Sequence, residues 1–385
     1  MTTSADRLTS VEICAGAGGQ AIGLHQAGFR HHALVEIDKH AAAALQKNVD
    51  QRRDWKWERE NKAVLHMDVK DFAKNPPKFE PFEIDLLAGG VPCPPFSLAG
   101  RQLGQDDERD LFPTMLDLVK KIRPKAVMIE NVRGLLQPAH KFAGYRKDIT
   151  RKLETLGYSV CRWDMVESAD YGVPQLRPRA ILVAIHGNYY AEKFQWPTGE
   201  SKQKTVFEAL KKSMAERYQH AQNLYPDRAV QLAAIHERWK EHARRGGVAP
   251  TLVGGSKKHG GADLGPSRAK AAWKLLGVDA MGVANDMGDD IAVDRDLLNE
   301  VGPKLTVKQA AIIQGFPEDW HFEGGKTARY RQIGNAFPPP VAKAFGESIA
   351  EVLRLGPRPE GETAPSAISA SGSHGTDDGQ GAFDW

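Results

Sequence analysis

Four short clusters hold residues whose types and spacing suit chemistry. The most pointed is Gly89-Gly90-Val91-Pro92-Cys93-Pro94-Pro95-Phe96-Ser97. An isolated cysteine is usually a small buried hydrophobe. Cys93 instead lies between prolines and just after two glycines, in a rigid loop that positions a nucleophile rather than packing it. An ordinary thiol, with a pKa of about 8.5, is only a few per cent ionised at neutral pH, so this nucleophile needs activation. The second cluster is Glu130-Asn131-Val132. A glutamate at a strand end between apolar residues is partly desolvated and suited to giving a proton. The third, Pro174-Gln175-Leu176-Arg177-Pro178-Arg179, sets two cations at i and i+2, which point the same way in extended chain. The fourth is the turn Cys14-Ala15-Gly16-Ala17-Gly18-Gly19 with Glu36, 20 residues beyond Gly16. Glycines let backbone approach a ligand, and the spaced acid can accept from both ribose hydroxyls of an adenosine. That pair of features leaves a dinucleotide and S-adenosylmethionine both open. Taken singly, Glu130 and the Arg177–Arg179 cluster read more readily as a structural hydrogen bond or surface charge, and the glycine-rich turn with Glu36 reads more readily as a cofactor site than as a tight turn with a surface glutamate. Cys14 and Cys161 lie in strand patterns and read as buried.

The elements that must position these clusters form an alternation. Strands are expected at Val11–Cys14, Ala33–Val35, Ala63–His66, Ile84–Ala88, Ala126–Ile129 and Ala180–Ile185. Helices are expected at Gln20–Gln26, Ala41–Asn48, Leu111–Ile122 and Tyr145–Leu156. The rhythm predicts an α/β fold with a doubly wound, mainly parallel sheet and helices on both faces. The glycine-rich turn, the Cys93 loop and Glu130 each follow a strand, so all three belong at the sheet's carboxyl edge. After Ile185 the rhythm stops. Residues 187–300 are basic, glycine-rich in places, and lack regular alternation. Helical pattern returns at Thr306–Gln314, and a proline turn and helix occupy Ala336–Leu353. Residues 356–385 are rich in Gly, Ser, Pro and Ala and read as a disordered tail, with Phe383 and Trp385 at its tip.

In combination and order, the clusters resemble the DNA (cytosine-5)-methyltransferases, of the prokaryotic restriction–modification type because no large regulatory extension precedes the catalytic segment. Gln314-Gly315-Phe316-Pro317 and Gln332-Ile333-Gly334-Asn335-Ala336-Phe337-Pro338-Pro339-Pro340 are similar to the family's last two motifs. The resemblance covers about residues 8–353, apart from the middle. It implies catalysis by Cys93 as nucleophile at cytosine C6 and Glu130 at the N3 and N4 edge. It implies Arg179 at O2, with Arg177 and Gln175 supporting. It implies that S-adenosylmethionine is held by Cys14, Gly16, Gly18, Gly19, Glu36, Ile37, Asp68, Pro92 and Asn335. Two positions depart from the family pattern: Cys14 stands where Phe is usual and Glu12 where Asp is usual. The segment Ser97–Arg109 looks like the family's mobile loop over the flipped base. The middle matches the place of the target-recognition domain. Thr251-Leu252 resembles its recurring element, near the flipped nucleotide's phosphate. The implied division is catalytic residues 1–186 and 301–355, a smaller irregular recognition domain over 187–300, and the tail.

Composition agrees with this reading. The net charge of +3 conceals a block, Lys193–Leu275, with a net of +9, while the remainder is −6. Such a block suits a polyanion, here double-stranded DNA through Ser97, Gln175, Thr251, Lys257 and Lys258. The plainer alternative is a solvated helical face at Lys202–Arg217. Three cysteines make no disulfide framework, no pair has metal-ligand spacing, and no apolar run reaches about 18 residues. No secretory signal opens the chain, so a cytoplasmic protein associated with the nucleoid through DNA is expected, with no obligate protein partner. Three rivals remain. A transfer-RNA-type cytosine methyltransferase would carry a Cys-Phe-Thr signature, which is absent. A nicotinamide-dependent oxidoreductase leaves Cys93, Glu130 and Arg179 unexplained. A catalytically idle relative would lack residues that are present.

Overall fold

The computed structural model describes residues 7–55, 63–92, 110–199, 202–254, 262–287 and 291–362. The early apolar runs become strands and the patterns between them helices. In order they are β1 (Leu8–Ile13), α1 (Gly19–Gln26), β2 (Phe29–Glu36), α2 (Lys39–Gln51), β3 (Val64–His66), α3 (Val69–Lys74), β4 (Leu86–Gly90), α4 (Phe112–Ile122), β5 (Ala126–Val132) and α5 (Ala143–Thr155). Helix starts follow local chemistry. Asp38 accepts from the amides of His40 and Ala41 to cap α2, and Asp68 accepts from that of Lys70 to cap α3.

The described strands form one seven-stranded sheet of order β3-β2-β1-β4-β5-β7-β6, where β6 is Tyr158–Glu167 and β7 is Pro178–His186. Strands β1 to β5 run parallel, and β7 and β6 are antiparallel to their neighbours. The order reverses between β1 and β4, whose ends pair Ile13 with Gly89. That reversal opens a crevice at the carboxyl edge. The sequence shows β6 only as the strand pattern at Cys161 and gives the strand no bounds. It is a half-exposed edge strand with no continuous apolar run, starting directly after the helix stop at Gly157.

Alternate residues sort the core to two sides. Val127, Ile129, Leu182 and Ala184 face α3, α4 and α5. Ala126, Met128, Ile181, Val183 and Ile185 face α1 and the last helix, α12 (Pro339–Leu353). Helices α1 and α12 meet closely. A Cβ on Gly23 would lie 2.4 Å from the Pro339 carbonyl oxygen and 2.5 Å from the Lys343 nitrogen, so only glycine permits the approach.

Residues 187–300 are more regular than their composition suggests. They carry α6 (Val206–Leu224) and α7 (Ala229–Gly246), packed on each other, then α8 (Ser267–Leu275) and the single turn α9 (Val293–Asp296). Thr205 and Glu208 form a reciprocal capping box at the start of α6. Lys211 and Lys212 are exposed, as a solvated face requires. Arg217 instead turns inward and donates to the Lys304 carbonyl at 2.6 Å. One apolar cluster runs from Ile22, Leu34 and Leu45 through Ile313 and Trp320 to Met214, Trp239 and Trp273. It therefore joins this segment to the sheet through α10 (Val307–Gln314) and α11 (Lys326–Asn335). No helix of the described residues is long and apolar enough to cross a membrane.

Candidate active site

Strand register brings two of the clusters into contact. In β5, Glu130 sits beside Gly90 of β4, and Val132 pairs with Arg179 of β7. The Arg179 Nε donates to Glu130 Oε1 at 2.8 Å, with both side chains 14% exposed. A Cβ on Gly90 would lie 2.9 Å from Glu130 Oε2, so the glycine leaves the carboxylate room to lie across the strand end. Arg179 Nη1 donates to the Pro178 carbonyl at 2.8 Å. A half-sunk acceptor and donor thus stand side by side at the mouth of the crevice.

The Cys93 loop starts from this pair. Asn131, buried behind Glu130, donates from Nδ2 to the Val91 carbonyl at 2.8 Å, while its Oδ1 accepts from the Val132 amide. The exposed Pro92 carbonyl receives the Leu111 amide at 3.4 Å, and Asp110 accepts from the Phe112 amide at the start of α4. Asn131 is visible in the sequence only as a neighbour of Glu130, and its bracing role needs the β4–β5 pairing to be seen. Cys93 and Ser97, together with the loop Ser97–Arg109, lie outside the described residues. So do Lys257 and Lys258.

Two expectations in the third cluster are corrected. Arg177 lies within electrostatic reach of Arg179 and Glu130 but is sunk into the fold rather than open to the crevice. It is 1% exposed and donates from Nη1 to the Leu252 carbonyl and from Nη2 to those of Gly334 and Ala336, each at 2.9 Å. Burial holds its pKa well below the ordinary arginine range. Gln175 is likewise fully buried and offers nothing to DNA. Its Nε2 donates to the Ile313 carbonyl and to Gln314, and its Oε1 accepts from the Leu252 amide. Both side chains fasten the segment 249–254 to the ends of α10 and α11. Thr251 lies at the surface beside them, and its hydroxyl donates to the Leu176 carbonyl at 2.5 Å.

The glycine-rich turn builds the neighbouring half of the crevice. The strand ends at Ile13, and Cys14 enters the left-handed region with φ 53°, followed by Gly16 and Gly18. Glu36 is buried. Its Oε2 accepts from the Gly16 amide and its Oε1 from the Asp38 amide, both at 2.7 Å. Burial raises its pKa, and the two amides pull it partly back. The Cys14 thiol is pushed up to about 12, first by burial and then by the charges of Glu36 and Asp68, so these three groups converge. Ile37 is 63% exposed at the same edge, although it is a large apolar residue. A Cβ on Gly16 would meet nothing within 4 Å, which leaves open space above the turn.

This donor set fits an adenosine-bearing cofactor: a carboxylate for the ribose, an apolar face for the base and a second acid, Asp68, near the base. Gly19 packs against Ala336 and the Phe337 carbonyl, which brings the last motif beside the first, and Asn335 is exposed there next to Gly254. Trp320, unmarked by any sequence signal, donates from Nε1 to the Ala17 carbonyl at 2.9 Å and walls the turn at Gly18. Glu12 faces away from this space, held by Gln20 and His31.

The chain matches the family model described as C-5 cytosine-specific DNA methylase over residues 8–351. It is 48% identical over 371 residues to the type II methyltransferase M.NaeI of Lentzea aerocolonigenes, spanning 94% of this chain and 78% of that protein. It is 46% identical over 353 residues to M.NgoMIV of Neisseria gonorrhoeae, spanning 90% and 99%. Its fold also resembles the Entamoeba histolytica methyltransferase EhMeth, with a TM-score of 0.55 at 15% identity over 90% of this chain and 99% of that one.

Proposed function

The chain belongs to the C-5 cytosine-specific DNA methylases, and from that premise we propose how its residues divide the work. The reaction moves a methyl group from S-adenosylmethionine to C5 of cytosine in DNA. When bound, S-adenosylmethionine supplies an electrophilic methyl group. Glu36 holds its ribose, Ile37 and Asp68 its adenine, and the turn from Cys14 through Gly16 and Gly18 to Gly19 takes the rest, with Asn335 and Pro92 along the wall.

C5 of cytosine is too weak a nucleophile to react unaided. The Cys93 thiolate adds to C6, and the ring's electron pair moves to C5, which becomes the attacking carbon. A base then removes the C5 proton, and the returning pair expels the thiolate. The Glu130–Arg179 ion pair is the observation that carries this reading. Cytosine presents a donor at N4 and acceptors at N3 and O2. Glu130 accepts from N4 and, when protonated, supplies a proton at N3, while Arg179 donates to O2 and neutralises the charge that develops. A duplex hides this edge, so the base is flipped into the crevice. The names of these two bacterial relatives, both type II methyltransferases, support a sequence-specific modification enzyme of a restriction–modification pair, and we infer that it works in the cytoplasm.

The test is covalent trapping. Duplex DNA with 5-fluorocytosine at the target has no C5 proton to lose, so the adduct persists. Peptide mass spectrometry is expected to find it on Cys93, and Cys93→Ser is expected to abolish transfer while leaving DNA binding. An adduct on Cys14 or Cys161 would overturn the assignment.

A further inference from the structure

The peptide groups of the glycine-rich turn are held one by one. The Ala15 amide donates to the Val35 carbonyl at 3.0 Å, the Gly16 amide to Glu36 at 2.7 Å, and the Gly18 carbonyl accepts from the Ile22 amide at 2.9 Å. The peptide between Ala17 and Gly18 is held at both ends. Its N–H donates to the Ala15 carbonyl at 3.0 Å, inside the turn. Its carbonyl accepts from Trp320 Nε1 at 2.9 Å, from a residue 303 positions along the chain. Gly18 has φ 95° and no Cβ, so a flip of this peptide meets little steric resistance. The indole bond therefore decides which way the carbonyl faces.

Trp320 is itself fixed from both flanks. Its neighbour Asp319 accepts from Arg52 Nη2 at 2.7 Å. Its other neighbour, His321, gives its amide to Asn48 Oδ1 at 3.0 Å and takes Asn48 Nδ2 on its carbonyl at 2.8 Å. The Arg52 guanidinium also lies over the indole, 4.5 Å from the ring centroid. A Cβ on Gly18 would lie 2.9 Å from Trp320 Cζ2 and 2.7 Å from Leu45 Cδ1, so the turn rests on the indole edge and on α2 together. Trp320 is 6% exposed, and the Ala17 carbonyl therefore faces the buried side. Gly16, whose Cβ would meet nothing within 4 Å, marks the open side. A flipped Ala17–Gly18 peptide would put a carbonyl oxygen into the space that the turn offers a ligand.

We propose that Trp320 is a positioning residue for S-adenosylmethionine: its N–H holds the Ala17–Gly18 peptide in the one orientation in which the turn accepts the amino-acid end of the cofactor. This rests on the reading that the turn takes that end while Glu36, Ile37 and Asp68 take the adenosine. Arg52 serves the same end at one remove, by clamping the indole.

The experiment is calorimetry on the full chain with two probes, S-adenosylmethionine and 5′-methylthioadenosine, which has the nucleoside and lacks the amino-acid end. Trp320→Phe keeps an aromatic ring and leaves the Ala17 carbonyl unpaired. It is expected to weaken S-adenosylmethionine about 10-fold and to leave 5′-methylthioadenosine within about two-fold. Arg52→Met keeps the stem over the indole and is expected to weaken S-adenosylmethionine alone by about 3-fold, the worth of a cation over a ring. It decides the matter if the phenylalanine variant does not fold. Unchanged S-adenosylmethionine binding overturns the positioning role. So does an equal loss for both probes, which marks a general loosening of the pocket. Wild type binding the two probes equally well would mean that the turn takes no amino-acid end, which overturns the underlying reading and the role of Trp320 with it.

Discussion

At the scale of single residues, Glu36 shows how burial and function oppose each other. Its carboxylate sits where water is scarce, which raises its pKa above the ordinary 4.5. On acidification it therefore takes up a proton at a higher pH than an exposed glutamate does. The protonated form is the poorer acceptor for ribose hydroxyls. Affinity for S-adenosylmethionine is expected to fall as pH drops through that raised value, with the decline already under way above pH 4.5. Calorimetry across pH 4 to ~8 checks it. Glu36→Ala is expected to weaken binding by about 1.5–3 kcal/mol, the worth of a charge-assisted hydrogen bond, and to flatten that pH dependence. DNA affinity in the absence of cofactor is expected to stay nearly constant. An equally steep acid limb in the alanine variant would assign the titration to another group.

At the scale of elements, the parallel pairing of β4 with β5 sets the Glu130 carboxylate against a backbone that must lack a side chain. Gly90→Ala introduces a methyl 2.9 Å from Glu130 Oε2. The displaced atom is the end of a flexible side chain, so stability is expected to change little. The carboxylate is expected to move, and a misplacement of about 1 Å can cost ~10²-fold in turnover. The check is a kcat lowered by one to two orders of magnitude with an unchanged melting temperature. A large fall in melting temperature would instead mean that the strand gave way. The same level of structure explains what the sequence reveals. The glycine-rich turn, Glu36 and Glu130 are legible because each ends a strand at one edge of a parallel sheet. The inward sense of Gln175 and Arg177 is not. A two-residue alternation does not say which side is inside until segment 249–254 packs on it. Helices α6 and α7 are obscured because their buried positions, such as Leu210, Met214 and Trp239, are spaced among charges. The Thr205–Glu208 box is the readable signal.

At the scale of the whole molecule, the chain divides into a basic segment and an acidic remainder, which matches the division of tasks proposed above. The start of α6 and the end of α7 meet where the Val206 amide donates to the Gly247 carbonyl at 2.9 Å. From there the chain runs directly into Ala249–Gly254 beside the crevice. Replacing Lys257 and Lys258 by alanine is expected to weaken specific and non-specific DNA binding alike. It is expected to flatten the slope of log K against log salt by up to about 0.9 for each phosphate no longer neutralised. Glu130→Gln is expected to leave that slope alone and lower methyl transfer by roughly 10²–10⁴-fold. Salt titrations beside single-turnover rates separate the two, and crossed effects would reverse the assignment. The docking of α12 on α1 has a consequence for synthesis. Gly23, in the helix that follows the glycine-rich turn, makes its close backbone approach to residues 339–343 of α12. A nascent chain still held in the ribosome thus has every proposed catalytic group translated and no finished cofactor pocket. Residues 1–330 expressed alone are expected to bind no S-adenosylmethionine by calorimetry, so an interrupted message yields an inert fragment.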